Sequence, residues 1–129
     1  MKILIADDME YARANIVETV KTIFPEAEID EFKDGTYAWE AVQTKQYDIL
    51  FTDVRMIKMH GPELARKVAE KHPHTEIFFV TGENKTELEQ LGIDPKRCIL
   101  KPYMTEDVKK CLKDNKVFEF GGFGNELRP

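Results

Sequence analysis

Asp53 ends an apolar run, Tyr47–Asp53, that is typical of a buried β-strand, so the strand would carry a carboxylate at its carboxyl end. In a parallel sheet the carboxyl ends of the strands lie along one edge, where polar groups from distant parts of a chain can meet. Three carboxylates beside one ammonium and one hydroxyl would form a site for a divalent cation and a phosphoryl group. The other polar groups that directly follow apolar runs are Asp7-Asp8, Thr81-Gly82 and Lys101-Pro102.

The donor set favours a particular metal and a particular reaction. Mg²⁺ fits best because it prefers hard oxygen ligands, uses one or two carboxylates and keeps positions for water and phosphate oxygens. No His or Cys accompanies the acids, which disfavours Zn²⁺. An aspartate can itself attack a phosphoryl group and become an aspartyl phosphate. Lys101 would then neutralise charge on the transferring oxygens and Thr81 would offer a hydrogen bond.

Each of these residues also has an ordinary structural explanation. Asp8 could cap the first helix, Thr81 could be a strand end, and Lys101 could be a solvated charge. Explanations of this kind would all have to coincide at matching ends of four core strands. We therefore interpret the residues as one site.

Strand-like and helix-like patterns alternate along the whole chain, which predicts an α/β fold of the (βα)5 type. The apolar runs are too continuous to face water on either side, as expected for parallel strands. Short right-handed connections favour a doubly wound, flavodoxin-like parallel sheet of order 2-1-3-4-5. The predicted strands are Lys2–Ala6, Ala27–Phe32, Ile49–Asp53, Glu76–Thr81 and Cys98–Leu100, and the predicted helices cover Ala12–Ile23, Thr36–Thr44, a segment opened by Gly61-Pro62, Lys85–Leu91 and Glu106–Lys116.

Composition narrows the class of protein. The chain has 129 residues, 42% of them hydrophobic and 33% charged, which is ordinary for one globular domain. Its formal charge of -5 argues against a nucleic-acid partner. No apolar stretch approaches the roughly 20 residues that cross a membrane, and the first strand begins too early to leave room for a signal peptide. Since Cys98 and Cys111 match neither a metal-site nor a disulfide spacing, we expect a cytoplasmic protein.

In combination and order, the motifs resemble the receiver domain of bacterial two-component response regulators, over residues 1–116. The resemblance is to single-domain receivers of the chemotaxis-regulator type, and Asp34-Gly35, Met56 and Gly61 also carry it. It implies that Asp53 accepts a phosphoryl group from a histidine kinase or a histidine phosphotransfer protein. It further implies a protein that catalyses only its own phosphorylation and dephosphorylation, not an enzyme acting on other substrates.

The resemblance also assigns roles to the other site residues. Thr81 would be the switch hydroxyl that moves toward the phosphate, with Gly82 beside it keeping the approach open. Lys101 would pair with the phosphoryl group. The family usually has a cis bond here, so we expect one between Lys101 and Pro102. The ligands expected for Mg²⁺ are Asp7, Asp8, Asp53 and the main-chain carbonyl of Arg55.

Four positions are informative in comparison with the family pattern. Cys98 stands where the family often has a switch aromatic, so the switch would act through the loop after Thr81. His60 stands where many members carry an acid, and we interpret it as an exposed loop side chain. Arg55 and Glu83 flank the acceptor, where the family tunes loss of the phosphoryl group. Their opposite charges could pair and slow autodephosphorylation.

Two other functions compete with a phosphorylated switch. A Mg²⁺-dependent phosphatase with an aspartate nucleophile usually has Asp-x-Asp after its first strand and a cap domain, whereas this chain has adjacent Asp7-Asp8. A pseudo-receiver that only binds partners would not need the complete set of site residues.

The end of the chain predicts a partner surface and a separate tail. Residues 117–129 do not look like receiver core and form a C-terminal tail of unknown role. An output protein would engage the last-helix face, and the receiver would be a monomer or a phosphorylation-dependent dimer. The basic residues of that face are Lys109, Lys110, Lys113 and Lys116.

Overall fold

The computed structural model describes residues 1–120 and 125–127, and strands and helices alternate along them. The strands of the main sheet are β1 Lys2–Ala6, β2 Glu28–Phe32, β3 Ile49–Thr52, β4 Glu76–Thr81 and β5 Cys98–Leu100. The helices are α1 Glu10–Ile23, α2 Gly35–Thr44, α3 Gly61–Lys71, α4 Lys85–Gln90 and α5 Thr105–Asp114, with a 3₁₀ turn at Pro95–Arg97. A short hairpin follows, formed by β6 Phe118–Phe120 and β7 Asn125–Leu127.

The five-stranded sheet is parallel throughout and has the order β2-β1-β3-β4-β5, so the predicted doubly wound topology is confirmed. Ile5 lies beside Phe51, and Phe51 lies beside Phe78, which aligns the three central strands. The strand order reverses between β1 and β3, and ligands of doubly wound sheets bind outside such a reversal point.

The core has one layer on each face of the sheet. Side chains of a strand alternate between the faces, so Ile3 and Ile5 pack toward α1 and α5, whereas Leu4 and Ala6 pack toward α2 and α3. Both sets are completely or almost completely buried. The central strands therefore hold their carboxyl ends rigidly.

The prediction that all five strands are shielded on both faces is wrong for the two edges of the sheet. β2 has no fully buried residue, and β5 has one buried residue, Ile99, beside the half-exposed Leu100. An edge strand has a neighbour on one side only, and here the covering helices leave part of it in contact with water.

Helix α5 ends two residues earlier than predicted because the chain turns into a left-handed conformation. Lys116 has a φ of 59°. Its N–H donates to the carbonyl of Lys113 at 2.9 Å, and the N–H of Val117 donates to the carbonyl of Leu112 at 3.0 Å. This is a Schellman ending. Val117 is buried in the core layer beneath α1 and α5, so core packing reaches at least this residue.

The tail expected from residue 117 onward is only partly described. β6 and β7 pair as antiparallel strands, with Phe118 opposite Leu127, a structure that the sequence pattern did not predict. Residues 121–124 and 128–129 lie outside the described residues. Within the described part, no helix has the length and apolar character needed to span a membrane.

Candidate functional site

The three acids predicted from sequence meet at the carboxyl edge of the central strands. Asp7 and Asp8 follow β1, Asp53 follows β3, and these strands are neighbours in the sheet. The N–H of Asp53 donates to the carbonyl of Ala6 at 2.9 Å, which continues the pairing of the two strands up to the site. One carboxylate oxygen of each acid lies within 4.8 Å of the others.

Lys101 joins the cluster from the loop after β5. Its Nζ lies 3.0 Å from Oδ2 of Asp7 and 3.0 Å from Oδ2 of Asp53. The backbone N–H of Lys101 donates to the carbonyl of Thr81 at 2.8 Å. The peptide bond between Lys101 and Pro102 is cis, the isomer that the resemblance implied. Burial alone would lower the pKa of the Lys101 ammonium, but its hydrogen bonds to Asp53 and Asp7 outweigh burial and raise the pKa above its usual value.

Backbone donors hold the second oxygen of two of the acids. Asp7 is almost completely buried, and its Oδ1 accepts from the N–H of Met9 at 3.0 Å. Oδ1 of Asp53 accepts from the N–H of Val54 at 2.7 Å. Each of these carboxylates is therefore fixed between one backbone N–H and the Lys101 ammonium.

Asp8 is the least compensated acid of the cluster. Among the described residues, none donates a hydrogen bond to its carboxylate, and it is only partly buried. It is not a helix cap either, because the N-cap of α1 is Met9 and no side chain caps that helix. The alternative explanation of Asp8 as a capping residue therefore does not hold.

The donor set and charge of the cluster fit Mg²⁺. All three side-chain donors are hard carboxylate oxygens, and the acids exceed the single ammonium by two negative charges. Such crowded acids repel one another unless a cation compensates them. Residues that would hold the ion are Asp7, Asp8 and Asp53.

Thr81 and Gly82 lie at the same edge, at the end of β4. Thr81 is 1% exposed, and its Oγ1 accepts from the N–H of Glu83 at 3.1 Å, which leaves the hydroxyl hydrogen available for donation. A Cβ at Gly82 would meet no atom within 4 Å. The space around Gly82 is therefore open, and packing does not require a glycine there.

Arg55 and Glu83 form an ion pair between the β3–α3 loop and the β4–α4 loop. Sequence analysis did not identify the third member, Glu87 on α4, although it lies four residues after Glu83. The hydrogen bond with Glu87, and then that with Arg55, lowers the pKa of the Glu83 carboxyl, and the same contact with Glu83 raises the pKa of Glu87. The two carboxylates thus interact, and Arg55 stabilises the charged form of Glu83.

The loop after Asp53 is closely fastened. A Cβ at Gly61 would lie 2.0 Å from the carbonyl oxygen of Asp53, so only glycine fits without displacing the loop. A Cβ at Gly35 would lie 2.2 Å from the carbonyl oxygen of Met59. His60 is exposed as predicted, but it also takes part in the loop, because its Nδ1 accepts from the N–H of Met56 at 3.0 Å.

Cys98 is half-buried, and its thiol donates to the carbonyl of Asp94 at 3.4 Å. Burial raises the pKa of this thiol to about 11. Tyr103 is an aromatic residue that sequence analysis did not single out, although it follows Lys101-Pro102 directly. Tyr103 packs against the core layer beneath α1 and α5, and burial raises the pKa of its hydroxyl.

Comparisons with known proteins agree with this geometry. The protein-family model described as a response regulator receiver domain matches residues 3–113. The transcriptional regulatory protein LytR of Staphylococcus aureus (strain N315) is 30% identical over 117 residues, which cover 91% of this chain and 47% of LytR. The sensor protein EvgS of Escherichia coli (strain K12) is 33% identical over 112 residues, which cover 85% of this chain and 9% of EvgS. The chain therefore spans about half, or much less, of these curated relatives.

Solved structures show the same architecture. The chemotaxis response regulator CheY4 of Vibrio cholerae superposes with a TM-score of 0.72 at 26% identity, covering 88% of this chain and 96% of CheY4. The two component transcriptional regulator AraC of Clostridium phytofermentans superposes with a TM-score of 0.73 at 27% identity, covering 88% of this chain and 90% of that chain.

Proposed function

This chain belongs to the response regulator receiver domain family, and from that premise we propose that Asp53 accepts a phosphoryl group in a Mg²⁺-dependent reaction. Receiver domains are generally phosphorylated at an Asp in two-component signalling and are generally signalling modules rather than enzymes. One observation carries the proposal. The Lys101 ammonium bridges Asp53 and Asp7 at the reversal point of the sheet, beside Asp8, which accepts no hydrogen bond from any described residue.

The phosphoryl donor is a histidine kinase or a histidine phosphotransfer protein. A carboxylate oxygen of Asp53 attacks the phosphorus, the P–N bond to the donor histidine breaks, and the electron pair leaves with the imidazole. Lys101 stays charged because its pKa is raised, so its ammonium can follow the negative charge from the Asp53 carboxylate to the phosphoryl oxygens. Mg²⁺ bound by the acids and by the Arg55 carbonyl would supply further positive charge to those oxygens.

Thr81 transmits the change in this proposal. Its Oγ1 accepts from the N–H of Glu83, and the same hydroxyl can donate its hydrogen to a phosphoryl oxygen. Movement of the Thr81 hydroxyl would pull the β4–α4 loop, because the Glu83 N–H of that loop is hydrogen-bonded to it. Cys98 offers no aromatic ring for the usual family coupling, so the loop carries the signal toward α4.

Arg55 and Glu83 tune the lifetime of the aspartyl phosphate. Their ion pair links the loop that follows Asp53 to the β4–α4 loop, with Glu83 14% exposed and Arg55 62% exposed in their side chains. A bridge in this place hinders a water molecule that approaches the phosphoryl group. We infer slow autodephosphorylation from this contact.

The output partner binds at the face of α5. On that face the Nζ of Lys109 lies 3.6 Å from a carboxylate oxygen of Glu106, and the Nζ of Lys110 lies 2.7 Å from one of Asp114. Lys113 is a further basic residue of the same helix. Exposed pairs of this kind contribute about 1 kcal/mol or less, so an acidic partner can replace them. We propose a cytoplasmic receiver, predicted over residues 1–116 and extended at least to Val117 by core packing, that acts by protein contact. It would be a monomer or a phosphorylation-dependent dimer, without nucleic acid or membrane as a partner.

Acetyl phosphate with Mg²⁺, followed by intact-mass measurement, tests the proposal. The wild type should gain the mass of one phosphoryl group, whereas Asp53→Asn and the wild type with EDTA should gain none. Asp48→Asn serves as the matched control, because Asp48 accepts from the N–H of Lys2 at the opposite end of β3. Turnover of added phosphoesters would instead support the phosphatase alternative, and an unreactive wild type would support a pure binding module.

A further inference from the structure

The β3–α3 loop holds one peptide group between two anchors. The Met56 side chain is 2% exposed and packs in the core layer beneath α2 and α3. The Met56 N–H donates to Nδ1 of His60 at 3.0 Å. The loop closes where the N–H of Gly61 donates to the carbonyl of Val54 at 2.9 Å. The position of this peptide group is therefore set by side chains from inside the loop itself.

The anchored N–H and the Arg55 carbonyl belong to the same peptide group. The only cis peptide bond among the described residues is Lys101–Pro102, so the Arg55–Met56 bond is trans. In a trans peptide group the N–H and the C=O are coplanar and point in opposite directions. The hydrogen bond to His60 therefore fixes the direction of the Arg55 carbonyl oxygen, away from the imidazole.

The hydrogen bond also assigns a role to one nitrogen of the imidazole. Nδ1 accepts through its lone pair, so this ring nitrogen is the acceptor in the contact. No acid or base of the carboxylate cluster is needed for this contact. His60 thus acts on the loop backbone and is not a member of the carboxylate cluster.

We propose that His60 is a positioning residue for the metal site, because it aims the Arg55 carbonyl by holding the N–H of Met56. This inference rests on the proposed function, in which that carbonyl is a ligand of Mg²⁺. Groups that orient a ligand typically change metal affinity by about 10- to 100-fold when they are removed. A main-chain carbonyl held by one hydrogen bond belongs at the lower end of that range.

Two variants of His60 separate the acceptor from the bulk of the side chain. In His60→Asn the amide oxygen takes the place of Nδ1, so the bond to Met56 can be kept. In His60→Gln the amide oxygen takes the place of Nε2 and cannot reach the N–H. The matched control is His74→Gln, which changes an exposed histidine in the turn before β4.

Mg²⁺ affinity measured by calorimetry, with thermal melting of each metal-free variant, tests the proposal. We expect His60→Gln to bind Mg²⁺ about tenfold more weakly, whereas His60→Asn and His74→Gln stay within about twofold of the wild type. In metal-free wild type, NMR should detect a coupling across the hydrogen bond between the Met56 amide nitrogen and Nδ1 of His60. Equal affinity of His60→Gln and wild type, equal weakening in His60→Asn and His60→Gln, or absence of the coupling would overturn the role of His60 alone. A wild type that does not bind Mg²⁺ would overturn the proposed function and this inference with it.

Discussion

Replacing Asp8 by asparagine should stabilise the metal-free protein while removing its response to Mg²⁺. One oxygen of each acid lies within 4.8 Å of the others. At that upper limit and an effective dielectric constant of about 20, two carboxylates repel each other by about 3.5 kcal/mol. Asp8 faces two such charges, those of Asp7 and Asp53. The Lys101 ammonium, which bonds both of them, cancels about one of the two repulsions. Solvent screening at the partly exposed Asp8 reduces this gain in stability further. Loss of an anion near the start of α1 reduces it by about another 0.3–1 kcal/mol. We expect a net stabilisation of about 1–2 kcal/mol.

Urea unfolding in EDTA measures this gain, with the fluorescence of Trp39, the single tryptophan, as the probe. Mg²⁺ at about 100 times its dissociation constant should then stabilise the wild type by about 2.7 kcal/mol and Asp8→Asn by much less. Glu26→Gln is the matched control, because it removes one exposed charge far from the cluster and should change stability by less than about 0.5 kcal/mol.

The reasoning would be refuted if Asp8→Asn were less stable than the wild type in EDTA. That result would mean that Asp8 makes a favourable contact in the folded protein that exceeds its repulsion from the other acids. An unchanged response of Asp8→Asn to Mg²⁺ would equally exclude Asp8 from the metal site. The two measurements are independent, since one needs no metal and the other compares the same variant with and without it.

Four further predictions follow from the described contacts. Gly61→Ala should lower the free energy of unfolding by about 1–3 kcal/mol and weaken Mg²⁺ binding, because its Cβ would collide with the carbonyl of Asp53. Gly82→Ala is the control in the same urea titration and should have little effect on stability, because a Cβ there meets no atom. Arg55→Ala should shorten the lifetime of the aspartyl phosphate about two- to fivefold, as expected from loss of an exposed ion pair. Arg66→Ala, which breaks an ion pair within α3, should leave the lifetime unchanged. An unchanged lifetime in Arg55→Ala would exclude the Arg55–Glu83 pair as a barrier to water. Lys116→Gly should raise the free energy of unfolding by about 0.5–1 kcal/mol, since glycine removes the cost of a left-handed lysine, and a loss of stability would contradict this origin. Burial raises the pKa of both cysteine thiols from about 9 to about 11, so at pH 8 the reactive thiolate is about a hundredfold scarcer in the folded protein than in the urea-unfolded chain. Iodoacetamide should therefore alkylate the folded protein much more slowly than the unfolded chain. Equal alkylation rates of the two would contradict the burial of the thiols.

The order of elements could be predicted because it depends on local patterns. Apolar runs such as Ile3–Ala6 and Ile49–Thr52 specify buried strands, and helical spacing of apolar residues specifies what lies between them. Parallel pairing and right-handed connections then leave few arrangements, so the sheet order also followed from general rules. The exposure of β2 and β5 did not follow, because it depends on which strands become edges and on how far the helices cover them.

Residue types and their places at strand ends were likewise sufficient to select the acids, the hydroxyl and the lysine. They were not sufficient to specify how these groups bond. Lys101 contacts Asp7 across 94 positions of the chain and Asp53 across 48, and nothing local in the sequence states that one ammonium bridges both. The same holds for the Nδ1 of His60, which was interpreted only as exposed.

The sequence by itself therefore determined the class of fold, the edge of the sheet at which the polar residues gather, and the family. Only the tertiary structure decided that Asp8 accepts no hydrogen bond from the part of the chain that the structure describes, that Arg55 bridges two loops, and that His60 holds the Arg55–Met56 peptide group. The physical reason is one of length scale. Burial and periodicity act over a few residues and are visible in the sequence, whereas hydrogen bonds and charge pairs need atoms within about 3 Å of each other, and such distances are set by the packing of the whole domain.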